Sequence, residues 1–197
     1  ILTHRNLVAN IIQITTFLGA RIKEGEEVVV TAIPLYHIFA LMVNCLSYFS
    51  KGGRNVMITN PRDMPGFVQT LGNYRFSVIT GVNTLFNGLL HTPGFAELDF
   101  SALKLSAGGG TAIQEAISNK WREVTGQHIT EGYGLSETSP VVTFNLAGRD
   151  EFTATIGIPM PSTDVTLRDD DGNEVAMGEP GELCVKGPQV MVGYWRK

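Results

Sequence analysis

Short apolar segments alternate with segments of helical character from residue 26 to residue 134. The apolar segments are rich in β-branched residues, which favour strands, and helical spacing follows each of them. Strands are predicted at residues 26–35, 55–59, 76–80, 103–109 and 128–134. Strands that alternate with helices in this way form a parallel sheet with helices on both faces. The chain is therefore predicted to have an α/β fold with a parallel, doubly wound sheet.

An amphipathic helix is predicted before the first strand. Thr3 can cap its first turn, and Gly19 ends it. Its apolar face is predicted to consist of Leu7, Val8, Ile11, Ile12, Thr15 and Leu18. The later helices are predicted at residues 38–50, 63–75, 82–92 and 111–126, with Thr111 as the cap of the last one.

The pattern changes after residue 140, where helical spacing ends and turn sequences become frequent. Strands are predicted at residues 164–168 and 182–186, with turns at "DDDGN" and "GEPG". We therefore divide the chain into an α/β subdomain, residues 1–149, and a β-rich subdomain, residues 150–197. The second subdomain is expected to be part of a small β-barrel-like unit.

Composition and charge exclude several classes of function. The net charge is -4 and no basic run is present, so nucleic-acid binding is not expected. Cys45 and Cys184 are far apart and form no metal-binding motif, which favours a reduced, cytoplasmic setting. Residues 31–50 carry no charged side chain, but Pro34 would interrupt a membrane span there. We interpret this segment as the end of a buried strand followed by a buried helix.

Several unusual segments directly follow the predicted strands. In parallel α/β sheets, ligands bind beyond the carboxyl ends of the strands. In chain order these segments are "PLYH", "TGVN", "AGGG" and "TEGYGLSET". Their shared position predicts a ligand-binding site at this edge of the sheet.

The segment "TEGYGLSET", residues 130–138, has the strongest chemical signal. The two glycines that flank Tyr133 leave its ring free to lie against a flat ligand such as a purine. Ser136 and Thr138 can donate hydrogen bonds to phosphate, and an ionised Glu137 is an oxygen ligand suited to Mg²⁺. The alternative interpretation is a loop with a solvated glutamate.

Two other segments have weaker signals. Three glycines at 108–110 lie between a strand and a helix, where bare backbone can approach a ligand; the alternative is a strained turn. His37 stands alone in apolar sequence, and the alternative to a functional role is a histidine in the core.

Together these segments resemble the adenylate-forming superfamily, in order and over the whole chain. "EGYGLSETSP" is similar to its Tyr-Gly-hydroxyl-Glu motif, "SAGGGTAIQ" to its adenine-side glycine motif and "PLYHIFAL" to the segment that shapes the acyl pocket. "LTHRNL" resembles the helix after the phosphate loop, and "GELCVKGPQVMVGYW" the segment before the ribose-binding aspartate. Through "TGVNTLFNGLL", "LKLSAGGG" and "EGYGLSETSP", the chain is most similar to bacterial long-chain fatty-acid–CoA ligases.

The resemblance implies a two-step reaction. ATP and a carboxylate give an acyl-adenylate and pyrophosphate, and the thiol of coenzyme A then takes the acyl group. The implied partners are a fatty acid, ATP and CoA, with Mg²⁺ as the metal, in a cytoplasmic enzyme. A peripheral contact with the inner face of the cell membrane and an oligomeric state are left open.

Two alternatives to this interpretation are kept. Within the superfamily, the chain could belong to an aryl or short-chain acyl-CoA ligase or to a peptide-synthetase adenylation domain. Outside it, the chain could be a nucleotide-binding module without catalytic activity.

The resemblance also implies roles in nucleotide binding. Tyr133 would stack on adenine, Ser136 would contact the α-phosphate and Glu137 would hold Mg²⁺. The implied nucleotide site consists of Gly108, Gly109, Gly110, Glu131, Gly132, Tyr133, Gly134, Leu135 and Ser136.

A second group of residues is implied to border the acyl group. It consists of His37, Gly81 and Val82, and His37 joins Ser136 and Glu137 as an implied catalytic residue. Leu41 stands where some relatives carry a gating tryptophan. The resemblance places a phosphate loop before Ile1, and a ribose-binding aspartate and a catalytic lysine after Lys197. We therefore expect the chain alone to have little or no ligase activity.

Overall fold

The computed structural model describes residues 1–148 and 151–196 and contains two sheets. Its strands are β1 (Val28–Thr31), β2 (Arg54–Met57), β3 (Val78–Gly81), β4 (Leu105–Gly108), β5 (Ile129–Gly134), β6 (Val141–Phe144), β7 (Ile158–Pro159), β8 (Asp164–Arg168) and β9 (Glu182–Lys186). Seven strands form the main sheet in the order β2-β1-β3-β4-β5-β6-β7, and β8 pairs with β9 in the other. The predicted α/β fold is confirmed.

The main sheet is parallel from β2 to β5 and antiparallel beyond it. β1 lies between β2 and β3, and β4 pairs with β3 and β5, all in parallel register. β6 pairs antiparallel with β5, and β7 with β6. The five parallel strands were predicted from the sequence, but β6 and β7 were not. β7 has only two residues, too few for a readable period, whereas β6 is as long as the strands that were predicted.

Helices cover both faces of the sheet. They are α1 (His4–Leu18), a π-helix (Ala40–Ser47), α2 (Met64–Leu71), α3 (Asn83–Leu90) and α4 (Glu115–Thr125). One core includes Val30 and Ile79 of the sheet and packs against α2, α3 and α4. The other core includes Val29 and Val78 and packs against α1 and the π-helix. Neighbouring strand residues point to opposite faces, which explains why adjacent valines serve different cores.

The π-helix confirms the predicted helix at 38–50 but has a wider turn than an α-helix. Its Asn44 is fully buried, and the amide donates to Thr80 Oγ1 at 2.7 Å and to Thr31 Oγ1 at 3.1 Å. These bonds fix the helix against β1 and β3. A buried amide requires such partners, because leaving it unpaired would cost about 1–3 kcal/mol.

The predicted apolar face of α1 is wrong in part. Val8 and Ile12 are 52% and 57% exposed, whereas Asn6, Asn10 and Gln13 are buried. Asn10 donates to Val141 O at 2.9 Å and accepts from Val141 N at 3.0 Å. The helix therefore turns an amide stripe, Asn6, Asn10 and Gln13, towards chain segments whose backbone groups need hydrogen-bond partners.

The predicted start of α4 is also wrong. Thr111 is not the cap, because α4 begins at Glu115 after Gln114, whose backbone is extended. Side chains from other elements hold the preceding segment: Ile113 N donates to Glu131 Oε1 at 2.8 Å, and Gln114 N donates to Asn83 Oδ1 at 2.9 Å. The predicted end is confirmed, since Gly126 has the left-handed conformation typical of a helix C-terminus.

The two strands predicted in the β-rich region match β8 and β9, which pair antiparallel. The boundary predicted between residues 149 and 150 falls outside the described residues and stays a prediction. Within residues 1–148 and 151–196, no helix has both the length and the hydropathy of a membrane span. Cys45 and Cys184 are both free thiols.

Candidate functional site

A cavity of about 350 Å³ lies on the sheet face that packs against α1 and the π-helix. Most of the predicted site residues line it: His37, Gly108, Gly109, Gly110, Gly132, Tyr133, Gly134, Leu135, Ser136 and Glu137. Apolar side chains from the core of that face line the remainder. The structure thus joins a polar edge, at the carboxyl ends of β4 and β5, to an apolar interior. Its volume is within the range of about 300–1,000 Å³ usual for ligand pockets.

The glycines of the two motifs lie near each other where the paired strands β4 and β5 end. A Cβ atom at Gly109 would lie 3.5 Å from the carbonyl oxygen of Gly132, so the two segments face each other across the cavity edge. Gly110 has a φ of +79°, which L side chains rarely adopt. At Gly134, a Cβ atom would collide with the carbonyl of Pro140. Strand packing therefore requires glycine at Gly134 whether or not a ligand is bound.

Of the two hydroxyl groups predicted to contact phosphate, that of Ser136 is exposed and that of Thr138 is buried. Ser136 is exposed and lines the cavity, so it is free to donate to a ligand. Thr138 is buried, with its hydroxyl 2.5 Å from Pro140 O, and accepts from Leu135 N at 3.0 Å. The prediction that Thr138 donates to phosphate is therefore wrong, because this hydroxyl closes the turn.

Glu137 is held from two sides. The hydroxyl of Tyr194 donates to its Oε1 at 2.7 Å, and Met191 N donates to its carbonyl at 2.7 Å. The hydrogen bond from Tyr194 holds the pKa of the Glu137 carboxyl below its usual value, so the group is ionised at neutral pH. Sequence reasoning missed Tyr194. The available signal was an aromatic hydroxyl in "GYW", but nothing in the spacing linked it to Glu137.

The site suits a magnesium ion that is shared with a phosphorylated ligand. Among the residues that the structure describes, no group of three or more acidic, histidine or cysteine side chains could hold a metal. Mg²⁺ is commonly bound by one or two carboxylates together with substrate phosphates. Glu137 is the one acidic side chain on the described cavity lining. Without a cation, this carboxylate and a phosphate would repel each other.

His37 lies on the cavity lining and is exposed. Its Nδ1 accepts from Phe39 N at 3.2 Å, which leaves Nε2 for another partner. A histidine buried in the core, the alternative considered from the sequence, is therefore excluded. The π-helix follows shortly after His37 and anchors this segment to the sheet.

Comparison with known proteins identifies the family. A family model described as AMP-binding enzyme matches residues 1–195. The chain belongs to the AMP-binding enzyme family. This finding confirms the superfamily resemblance drawn from the ordered motifs.

Relatives and solved structures of AMP-binding enzymes agree with this assignment. A long-chain-fatty-acid–CoA ligase of Yersinia pestis is 56% identical over 197 residues, which are 100% of this chain and 35% of that protein. A crystal structure of a long-chain-fatty-acid-CoA ligase from Archaeoglobus fulgidus is 26% identical with a TM-score of 0.84, covering 100% of this chain and 40% of that one. ATP-bound MatB from Rhodopseudomonas palustris is 26% identical with a TM-score of 0.82, covering 99% and 38%. The chain thus spans about 35% of the length of the curated relatives it matches.

Three predicted residues are not among those that line the cavity: Glu131, predicted for the nucleotide site, and Gly81 and Val82, predicted to border the acyl group. Glu131 uses its carboxylate to accept from Ile113 N at 2.8 Å, and so shapes the segment that follows the three glycines. Gly81 accepts from Gly109 N at 3.3 Å, and the nearest atom to a Cβ built at Gly110 is Val82 Cγ1, at 3.8 Å. All three support the glycine segment from outside, and their roles towards a ligand stay predictions.

The apolar part of the lining was not predicted as a site. It includes Phe17, Val43, Tyr48, Val78, Leu105 and Phe144. The available signal was the alternation within β3 and β4, where every second residue faces the same side. A sequence pattern shows which residues share a face, but it does not show where helices leave that face uncovered.

Proposed function

We propose that the chain is the central part of an ATP-dependent ligase that joins long-chain fatty acids to coenzyme A. One observation carries the proposal: a single cavity connects the Tyr133–Glu137 edge with an apolar interior. Such a cavity can hold a carboxylate at its polar edge and an aliphatic chain inside. The relative from Yersinia pestis, named as a long-chain-fatty-acid–CoA ligase, supports the same substrate class.

In the first half-reaction the carboxylate attacks the α-phosphate of ATP, and pyrophosphate leaves. Tyr133, partly buried beside Gly132, provides a flat surface for adenine. Ser136 donates a hydrogen bond to the α-phosphate, on which negative charge increases during the attack. When bound, Mg²⁺ would screen the repulsion between the two anions, with Glu137 as its protein ligand.

In the second half-reaction the thiol of coenzyme A attacks the acyl carbon and AMP leaves. His37 lies at the cavity edge with Nε2 available, so it can contact the acyl carboxylate or the adenylate oxygen. The apolar interior keeps the acyl chain out of water while the mixed anhydride exists. Exclusion of water protects this intermediate from hydrolysis.

A cytoplasmic location is proposed from the two free thiols, since such thiols persist in reducing compartments. A peripheral contact with the inner face of the membrane would suit a long-chain acyl product. The same proposal includes CoA as the acyl acceptor and allows the protein to form oligomers. Product analysis and a measurement of molecular mass, both on the intact protein, test these two points.

The proposal is tested by acid-dependent ATP–pyrophosphate exchange in the intact protein. We expect exchange to be fastest with long aliphatic acids, and product analysis to show acyl-CoA once coenzyme A is added. A preference for aromatic, amino or short-chain acids would instead favour the alternatives within the superfamily. Nucleotide binding without exchange for any acid would favour a binding module.

A further inference from the structure

The cavity extends along the strands, from their carboxyl ends towards their amino ends. Thr80 and Ala107 line it near the carboxyl edge, and Val78 and Leu105 line it at the first residues of β3 and β4. These two levels are two residues apart, or about 7 Å along a strand. An extended aliphatic chain that enters at the polar edge therefore runs parallel to β3 and β4.

Tyr48 stands at the amino end of this path. It directly follows the π-helix, is 1% exposed and lines the cavity. Its carbonyl accepts from Gly53 N at 2.8 Å, which fixes its backbone to the turn before β2. Burial raises the pKa of Tyr48 above its usual range, and the nearby carboxylate of Glu27 adds to this shift. Because Glu27 directly precedes β1, the tyrosine ring lies at the amino end of the sheet.

The hydroxyl of Tyr48 is nearly, but not completely, enclosed. No hydrogen bond to it exists among the residues that the structure describes, and burial and Glu27 alone account for its raised pKa. Among the same residues, every fully buried nitrogen or oxygen atom of a side chain has a hydrogen-bond partner. The hydroxyl therefore keeps a small accessible area, and Tyr48 is one of the residues that line the cavity. A ring placed in this way stops a chain that descends the cavity.

We propose that Tyr48 sets the upper limit of acyl chain length. The inference rests on the proposed function, because it takes the cavity to be the acyl site. The ring occupies the end of the path, so its bulk leaves no room for a longer chain there. Acids that reach the ring bind poorly, and acids that end before it bind well.

The test is the acyl specificity of the intact protein with Tyr48→Leu. Shortening this side chain extends the cavity, so kcat/KM for acids longer than the best wild-type substrate should rise relative to that substrate. The change in this ratio should be about tenfold or more, as expected when a pocket gains or loses a methylene-sized space. Tyr48→Phe removes only the hydroxyl and should keep the wild-type length limit.

Phe67→Leu is the matched control. It shortens another aromatic ring that is 1% exposed but belongs to the core on the opposite face of the sheet. It should lower stability without changing the chain-length profile. If Tyr48→Leu does not fold, Tyr48→Met replaces it, because methionine is flexible and fills irregular space. A smaller shift in the same direction is then expected.

The outcomes distinguish the role of Tyr48 in chain-length selection from the proposed ligase function. Wild-type exchange with aliphatic acids, together with an unchanged length limit in a folded Tyr48→Leu or Tyr48→Met variant, would overturn the role of Tyr48 alone. An equal shift in Phe67→Leu would overturn it too, by showing that any loosened core relaxes specificity. No wild-type exchange with any aliphatic acid would overturn the proposed function and this inference together.

Discussion

Glu137 and Tyr194 form a hydrogen-bonded pair, in which Glu137 is the proposed metal ligand and Tyr194 holds its carboxylate. Glu137→Gln removes the negative charge but keeps the shape, so adenylate formation should fall about 100-fold or more, as when a preorganised electrostatic contact is lost. The measurement is single-turnover formation of the acyl-adenylate in the intact protein. Adenylate formation at the wild-type rate would show that Glu137 does not hold the metal.

Tyr194→Phe tests the hydrogen bond within the pair. Tyr194 stabilises the charged form of Glu137, so its removal should raise the pKa of that carboxyl towards the ordinary value. The loss of kcat/KM on the acid side, which reports the free enzyme, should therefore begin at a higher pH than in the wild type. If kcat/KM of Tyr194→Phe begins to fall at the same acidic pH as that of the wild type, this role of Tyr194 is contradicted.

Glu27 is a buried carboxylate that contributes to stability rather than to chemistry. Burial alone would raise its pKa, but hydrogen bonds from Lys104, Ser77 and the backbone of Lys23 outweigh it and lower the pKa below 4.5. Glu27→Gln should therefore cost about 1.5–3 kcal/mol at neutral pH, the value of a hydrogen bond to a charged group. Urea unfolding of the intact protein measures this cost.

The pH dependence of the Glu27 effect has a defined sign. A lowered pKa in the folded state stabilises the protein above the unfolded pKa, and this stabilisation is lost as the pH falls towards the folded value. The wild type and Glu27→Gln should thus differ fully above about pH 5 and converge in more acidic solution. Glu97→Gln, at an exposed acid, should show no such difference. A constant gap at every pH would contradict the argument.

At the scale of elements, the amide stripe of α1 connects that helix to the motif loop. Asn10→Ala would leave both backbone groups of Val141 without their partner, at a cost of about 1–3 kcal/mol. Because residue 141 follows the Ser136–Ser139 turn closely, adenylation should also slow. Asn87→Ala, on an exposed face of α3, should change stability by no more than about 0.5 kcal/mol. Equal effects of the two substitutions would contradict a connecting role for α1.

The same stripe shows why some elements could be predicted and others not. The apolar runs of β1, β3 and β4 specify buried parallel strands from sequence alone, because few other structures bury such runs. Val8 and Asn10 could not be assigned to the right side of α1, since hydropathy does not reveal that Val141 needs a partner. Thr111 resembled a helix cap, but the carboxylate of Glu131, distant in sequence, decided where α4 begins.

At the scale of the whole molecule, one cavity contains both proposed binding regions, and their positions could be predicted to different degrees. The polar edge was predictable because Gly108, Tyr133 and Glu137 directly follow strands, and parallel strands bring their carboxyl ends together. The apolar interior was not, since it depends on how α1 and the π-helix lie over the sheet. Small side chains such as Ala107 keep that interior open.

The two ends of the cavity should therefore respond separately to substitution. Ala107 is 2% exposed and lies between Leu105 and the glycine segment, so Ala107→Leu should obstruct the interior beyond the polar edge. Preference should shift towards shorter acids by about tenfold or more in relative kcat/KM, opposite in direction to Tyr48→Leu. The KM for ATP should stay near the wild-type value, because the Tyr133 side of the edge is unchanged. Initial-rate kinetics with both substrates varied measure this, and equal losses for short and long acids would show that the acyl chain does not pass Ala107.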